Sequence, residues 1–197
     1  MFLEDNQFSL IYDIKKKELI SKIPDFYEVI FKKHWVVFNN TQVPIPDQGW
    51  KIHLSYNVYE SIEFLTNVSD VLFKLNLSWK IPKQAALLKG ILLGYINDTL
   101  TGKFITIYPE DEEKFIISLS ILDETIKNIS QVPPVITDKK YKNSNCIFYR
   151  YGAFKNKVIY DEYGNKQSAI IDDRGKLVID YRKPNFYKPP WINNPLE

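Results

Sequence analysis

The sequence predicts an α+β protein: twisted, largely antiparallel sheets flanked by helices, with a strand-rich C-terminal part. Three observations carry this. Segments with strand signatures, GWKIHLS (49–55), GKFITIYP (102–109) and CIFYRYGAF (146–154), are spread along the chain. Between them lie stretches whose apolar residues recur at three-to-four spacing, the period of a helix buried on one face. Beyond residue 146 the chain reads almost wholly as strand and turn, and the irregular mixing of the two element types argues against a regular βαβ repeat.

In chain order, IYDIKKKELISKI and then DFYEVIFKKHWVVF read as helical, with Pro24 ahead of the second. TQVPIPDQG is a loop that closes just before a strand at 50–56. NVYESIEFLTNVSDVLFKLN opens as an amphipathic helix through Val58, Ile62, Leu65, Val68 and Leu72, and is expected to give way near Val71 to a short strand, LFKLNL. Residues 82–97 read as a helix with Pro82 at its start. GKFITIYP is a strand opened by Gly102 and closed by Pro109. EDEEKFIISLSILDETIKNI follows as a helix whose acidic first turn complements its dipole. VPPVITD is a loop, CIFYRYGAF a strand, and VIYDEYGNKQSAIIDDRGKLVIDYR a hairpin or pair of hairpins turning at EYGN and DDRG. The proline-rich tail reads as a docked extended segment or a linker.

The chain has 197 residues, is 45% hydrophobic and 15% aromatic, and holds only 7 glycines, so it can build a substantial core as one domain. Its net charge of +2 is too mild to mark a nucleic-acid binder. Cys146 is the single cysteine, which excludes an internal disulfide and a cysteine-rich zinc site. With His34 and His53 as its two histidines, a multi-histidine metal site is not expected, and no cofactor is. No signal sequence or membrane-length apolar run is visible, which makes a cytoplasmic protein the default expectation. P-loop and kinase motifs are missing.

The strands carry cations inside apolar surroundings. Alternation puts Lys51 and His53 on one face of a strand, about 7 Å apart. LFKLNL adds Lys74, GKFITIYP adds Lys103 and FYRYGAF adds Arg150. A desolvated cation is costly unless something anionic pairs with it. Converging, these groups would form a dianion site, with arginine as a bidentate clamp and lysine as a point charge. A histidine can donate a proton near neutral pH, and a lysine crowded by other cations can serve as a base. Together the parts suit an elimination: a proton removed at carbon and a departing phosphate protonated. A solvated strand face is the ordinary reading of each lysine singly. Cys146 reads as core and His34 as structural. Stacking of RNA bases on FYRYGAF, and non-catalytic phosphopeptide or leader-peptide binding, are the other readings.

PIPDQGWKIHLS, LTGKFITIYP, FYRYGAF and DYRKPNFYKPPWI resemble the N-terminal lyase domain of class III lanthipeptide synthetases, with class IV close behind. That domain is in turn similar to bacterial effector phosphothreonine lyases. The resemblance spans about residues 44–192. It implies removal of phosphate from phosphoserine or phosphothreonine in a precursor peptide, leaving dehydroalanine or dehydrobutyrine without a metal. It makes Lys74 the general base, with Lys80 as its rival, His53 the acid that protonates the leaving phosphate, and Lys51 the stabiliser of enolate-like charge. Arg150, Lys103 and Arg182 become phosphate contacts, while Arg174 reads as an exposed turn residue. The effector lyases' further phosphate arginine has no arginine counterpart around residues 80–90, where Lys80, Lys83 and Lys89 stand instead. The implied partners are the phosphorylated precursor and the kinase and cyclase domains of the same synthetase, with no nucleic acid and no membrane. Residues 1–188 read as the lyase domain and 189–197 as a tail leading toward a kinase domain, with Leu196-Glu197 as a cloning remnant.

Overall fold

The computed structural model describes residues 5–126, 129, 132–182 and 184–197. Helix α1 (Asp5–Ser21) leads into strands β1 (Tyr27–Phe31), β2 (Trp35–Asn40) and β3 (Gln48–Leu54). Helix α2 (Ser61–Lys74), strand β4 (Ser78–Pro82), helix α3 (Ala85–Leu92), strand β5 (Ile105–Tyr108) and helix α4 (Glu112–Thr125) follow. Strands β6 (Lys139–Lys140), β7 (Ile147–Ala153), β8 (Val158–Tyr160), β9 (Lys166–Ile171) and β10 (Leu177–Ile179) complete the α+β architecture.

Seven strands form one antiparallel sheet in the order β1-β2-β4-β5-β3-β7-β6, and β10-β9-β8 form a second, smaller one. The two faces of the large sheet differ. Trp79, Ile81, Ile105, Ile107, Trp50, Ile52 and Leu54 point to the helices and are buried. Trp50 stacks on Phe115 of α4, Phe73 of α2 meets Trp79 edge-on, and the Tyr12 hydroxyl of α1 donates to the Pro82 carbonyl at 2.6 Å. Alternation then sends Lys80, Thr106, His53 and Lys51 to the opposite face. The helices thus dictate which face of the sheet is free for chemistry.

The second expected helix, 25–38, is instead the β1–β2 hairpin. Its run of Val, Ile, Phe and Trp suits a pleated sheet, and Lys32 N–H bonds the Trp35 carbonyl at 2.9 Å across the Lys-Lys-His turn. The expected strand at LFKLNL is also corrected. Helix α2 runs on to Lys74 because Leu65, Val68 and Leu72 keep the helical period into the core. Asn76 then ends it with a positive φ of 55°, and Leu77 N–H caps the Leu72 carbonyl at 3.1 Å. The strand begins only at Ser78. Pro82 closes that strand rather than opening α3, which begins at Ala85 and stops at Leu92. Helix α4 opens as expected, with the Asp111 side chain accepting from Lys114 N–H at 2.7 Å, whereas positions 127–128 of the expected helix fall outside the described residues.

The turns of the small sheet follow the sequence chemistry. The side chains of Asp161 and Asp172 each accept backbone N–H groups within their loops, and Gly164 and Gly175 take positive φ. The tail is docked: Ile192 and Leu196 pack on the core and Asn194 is buried.

Candidate active site

The polar face of the large sheet floors a cleft of about 700 Å³. A single line of cross-strand partners runs through it: Lys80 on β4 faces Thr106 on β5, which faces His53 on β3. One step along, Lys51 faces Arg150 on β7. Lys51, His53, Lys80, Lys103 and Arg182 all line the cleft, with Trp35, Tyr108 and Phe154 as its aromatic walls. No Asp or Glu lines it among the described residues.

Each buried cation is held differently. His53 Nδ1 lies 2.5 Å from Oδ2 of Asp138, whose other oxygen is 3.2 Å from Lys103 Nζ and accepts from the Thr137 hydroxyl at 2.6 Å. Lys103 also donates to Thr137 Oγ1 at 2.7 Å. Lys51 Nζ donates to the Ala153 carbonyl at 2.6 Å and lies against the Phe154 ring. Lys80 has neither a carboxylate nor a hydrogen-bond acceptor among the described residues. Its Nζ sits 4.5 Å from the Trp35 ring centroid and 5.6 Å from that of Tyr108.

Arg150 is one side of a buried ion pair. Asp180, just past β10, binds Arg150 NH2 and also accepts from Arg182 Nε at 3.2 Å and Ala153 N–H at 3.3 Å. Gly152 makes room for this pair: a Cβ there would stand 2.7 Å from Arg150 NH1 and 2.8 Å from Asp180 Oδ1. The pair joins the two sheets under one end of the cleft.

Burial pushes the Lys51 ammonium well down, and the neighbouring Arg150 charge pushes it further. Burial likewise takes His53 down to about 3, against the pull of the Asp138 carboxylate. Lys103 falls to about 8, again through burial, with Asp138 opposing. Burial acts to raise Asp138, but the charges of His53 and Lys103 outweigh it and hold the carboxyl well below its usual range. Asp180 follows the same pattern, burial being overcome by Arg150 and Lys51.

Of the residues singled out in the sequence, Lys51, His53, Lys103 and Arg182 are brought together in the cleft. Lys74 is not: it ends α2, exposed, on the helix rather than on the sheet. Lys80 occupies the strand position instead. Arg150 lies behind the cleft lining, paired with Asp180. Lys83 and Lys89 do not line the cleft, and Lys89 pairs with Asp5. Cys146 is in the core, where burial pushes its thiol up. His34 and Arg174 are exposed in turns. Sequence reasoning missed Asp138, Thr137 and Asp180. The signal was present in TDKK and IDYR, where an acid stands beside cations, since buried cations demand a buried anion.

A basic cleft with no Asp or Glu in its described lining, floored by a lysine and a carboxylate-bound histidine on the polar face of an antiparallel sheet, is able to hold an anion and carries groups able to transfer protons. The chain belongs to the family described as RamC, N-terminal domain, whose model matches residues 16–197. It is 27% identical over 175 residues to the probable SapB synthase of Streptomyces coelicolor, covering 89% of this chain and 19% of that protein. The chain therefore spans about a fifth of that relative's length. Among solved structures, it is similar to the type III effector/phosphothreonine lyase OspF of Shigella flexneri, with TM-score 0.45 and 13% identity over 73% of this chain and 87% of that one. The phosphothreonine lyase SpvC of Salmonella gives TM-score 0.45 and 15% identity over 74% and 87%. Among the described residues, no helix is long and apolar enough to cross a membrane, and no group of three or more His, Cys, Asp or Glu side chains is placed to hold a metal ion.

Proposed function

We propose that this chain is a phospho-Ser/Thr lyase domain that eliminates phosphate from a phosphorylated lanthipeptide precursor, giving dehydroalanine or dehydrobutyrine. The observation that carries the reading is the line Lys80–Thr106–His53, which puts a lysine without an anionic partner and a histidine on opposite sides of one position on the cleft floor. The family and the SapB synthase relative support the lanthipeptide substrate.

In this mechanism the amine of Lys80 takes the proton from Cα of the phosphorylated residue. The released electron pair forms the Cα=Cβ double bond, the Cβ–O bond breaks, and its electrons leave on the phosphate oxygen. His53, as imidazolium, protonates that oxygen through Nε2, because Nδ1 is committed to Asp138. Lys51 faces the negative charge that develops on the substrate carbonyl as the α-proton leaves. Lys103 and Arg182 attract the phosphate, while Arg150 acts through Asp180 by holding Arg182 and the Ala153 backbone in place. Burial favours the neutral form of His53, and a phosphate dianion held beside it opposes that by favouring the imidazolium. A kinase acting earlier must supply the phosphorylated residue.

The test is release of inorganic phosphate from a phosphoserine peptide. Wild-type protein is expected to release it, and Lys80→Ala and His53→Ala to lose it. Undiminished release by the double variant contradicts the mechanism.

A further inference from the structure

Thr106 lies between the two groups that the proposed elimination needs, and nothing in its own surroundings explains its hydroxyl. The residue is 3% exposed and lines the cleft. Its strand neighbours Ile105 and Ile107 face the core and are fully buried, so a β-branched aliphatic residue is what this strand otherwise uses. The Thr106 hydroxyl meets no hydrogen-bond partner among the described residues. The fully buried unpaired side-chain atoms among the described residues lie elsewhere, on Trp50, Trp79, Ser118 and Trp191, so the Thr106 hydroxyl opens onto the cleft, where a valine of the same shape would offer no donor. The register sets the spacing. Neighbouring strands lie roughly 4.8 Å apart, so the backbone positions of Lys80 and His53 stand roughly 10 Å apart with Thr106 midway. The long Lys80 side chain and the His53 ring reach over that floor from either side.

We infer that Thr106 is a substrate-contacting residue: its hydroxyl donates to a phosphoryl oxygen of the bound phosphoresidue. That contact fixes the phosphate-bearing side chain on the floor, with Cα toward Lys80 and the bridging oxygen toward His53. The inference rests on the proposed elimination and deepens it by naming what seats the phosphate centrally. A hydroxyl is suited to this place, because it adds a donor without adding a further cation beside Lys51, His53 and Lys80. Thr106 is thus a binding residue for the phosphorylated form of the peptide and not for the unmodified one.

The experiment compares wild type, Thr106→Val and Thr106→Ser by titration with a phosphoserine peptide and with its unphosphorylated counterpart, alongside thermal melts. Loss of a hydrogen bond to a charged group predicts roughly tenfold to a hundredfold weaker binding of the phosphopeptide by Thr106→Val. Thr106→Ser, which keeps the hydroxyl, should bind within about threefold of wild type, a factor well below the energy of such a bond. Melting of Thr106→Val should be no lower than wild type, and its affinity for the unphosphorylated peptide unchanged. Phosphopeptide binding by Thr106→Val equal to wild type overturns the inference, as does a Thr106→Ser defect as large as that of Thr106→Val. Because the readout is binding, a wild-type protein that binds but releases no phosphate defeats the elimination alone and leaves the Thr106 comparison decisive. A wild type that does not bind phosphopeptide defeats both.

Discussion

Asp138 Oδ2 lies 2.5 Å from Nδ1 of His53, and neither side chain is more than 5% exposed. The contact spans 85 residues of sequence and ties the loop after residue 132 to the C-terminal end of β3. Because the same carboxylate also faces Lys103, one buried anion orients the imidazole and compensates a second cation.

This arrangement makes stability sensitive to acid. His53 is held down from 6.5 to about 3 by burial, so below pH 6.5 the unfolded chain gains a proton that the folded chain refuses. Stability from this group is full above 6.5 and is lost as pH falls toward 3. Asp138, held below its usual 3.8, adds a further loss at the acid end. Melting temperature should therefore drop on acidification below pH 6.5, and His53→Asn should flatten the upper part of that drop. An identical slope in the variant contradicts the assignment.

Lys80 and Lys74 separate cleanly by mutation. Lys80→Ala should lower phosphate release by roughly 10²–10⁴-fold, the usual worth of a positioned base, and Lys74→Ala should leave it near wild type. Steady-state rates on a phosphoserine peptide measure both. The reverse ranking would restore the role that the sequence resemblance gives to Lys74.

Why the sequence reads Lys74 onto a strand, where the structure has it end a helix, is physically clear. Leu65, Val68 and Leu72 hold the helical period up to Lys74, and short apolar runs such as LFKLNL satisfy helix and strand patterns alike. Asn76, with its positive φ, is the residue that ends the helix, and its meaning depends on backbone geometry. Lys51 and His53 were readable because strict alternation in GWKIHLS survives any tertiary context. Thr106 was not, since its position between Lys80 and His53 exists only in the register of three strands distant in sequence. The pairing of Arg150 with Asp180 is hidden for the same reason.

Removing Asp180 should be severe. Asp180→Ala leaves the Arg150 guanidinium buried without its anion, a change that costs roughly 3–5 kcal/mol in comparable buried pairs. Chemical denaturation should show the shift. Gly152→Ala should also destabilise, because its Cβ would intrude on the same pair. Wild-type midpoints for both variants would mean that the pair does not join the two sheets.

Gly102 is the support for Lys103 and its loop partner. It takes a φ of +76°, and an added Cβ would stand 2.9 Å from the Pro133 carbonyl oxygen and 3.0 Å from that of Pro134. Gly102→Ala should cost on the order of 1–3 kcal/mol and lower phosphopeptide affinity by displacing the segment that bears Thr137 and Asp138. Denaturation and titration test the two effects; a variant indistinguishable from wild type in both refutes the coupling.

The most direct test is the mass of a phosphoserine peptide after incubation with the wild-type protein. The proposed elimination predicts loss of one phosphoric acid, H₃PO₄, with a dehydroalanine that adds a thiol. Loss of HPO₃, which marks hydrolysis, or an unchanged mass on a peptide that the protein binds would contradict it.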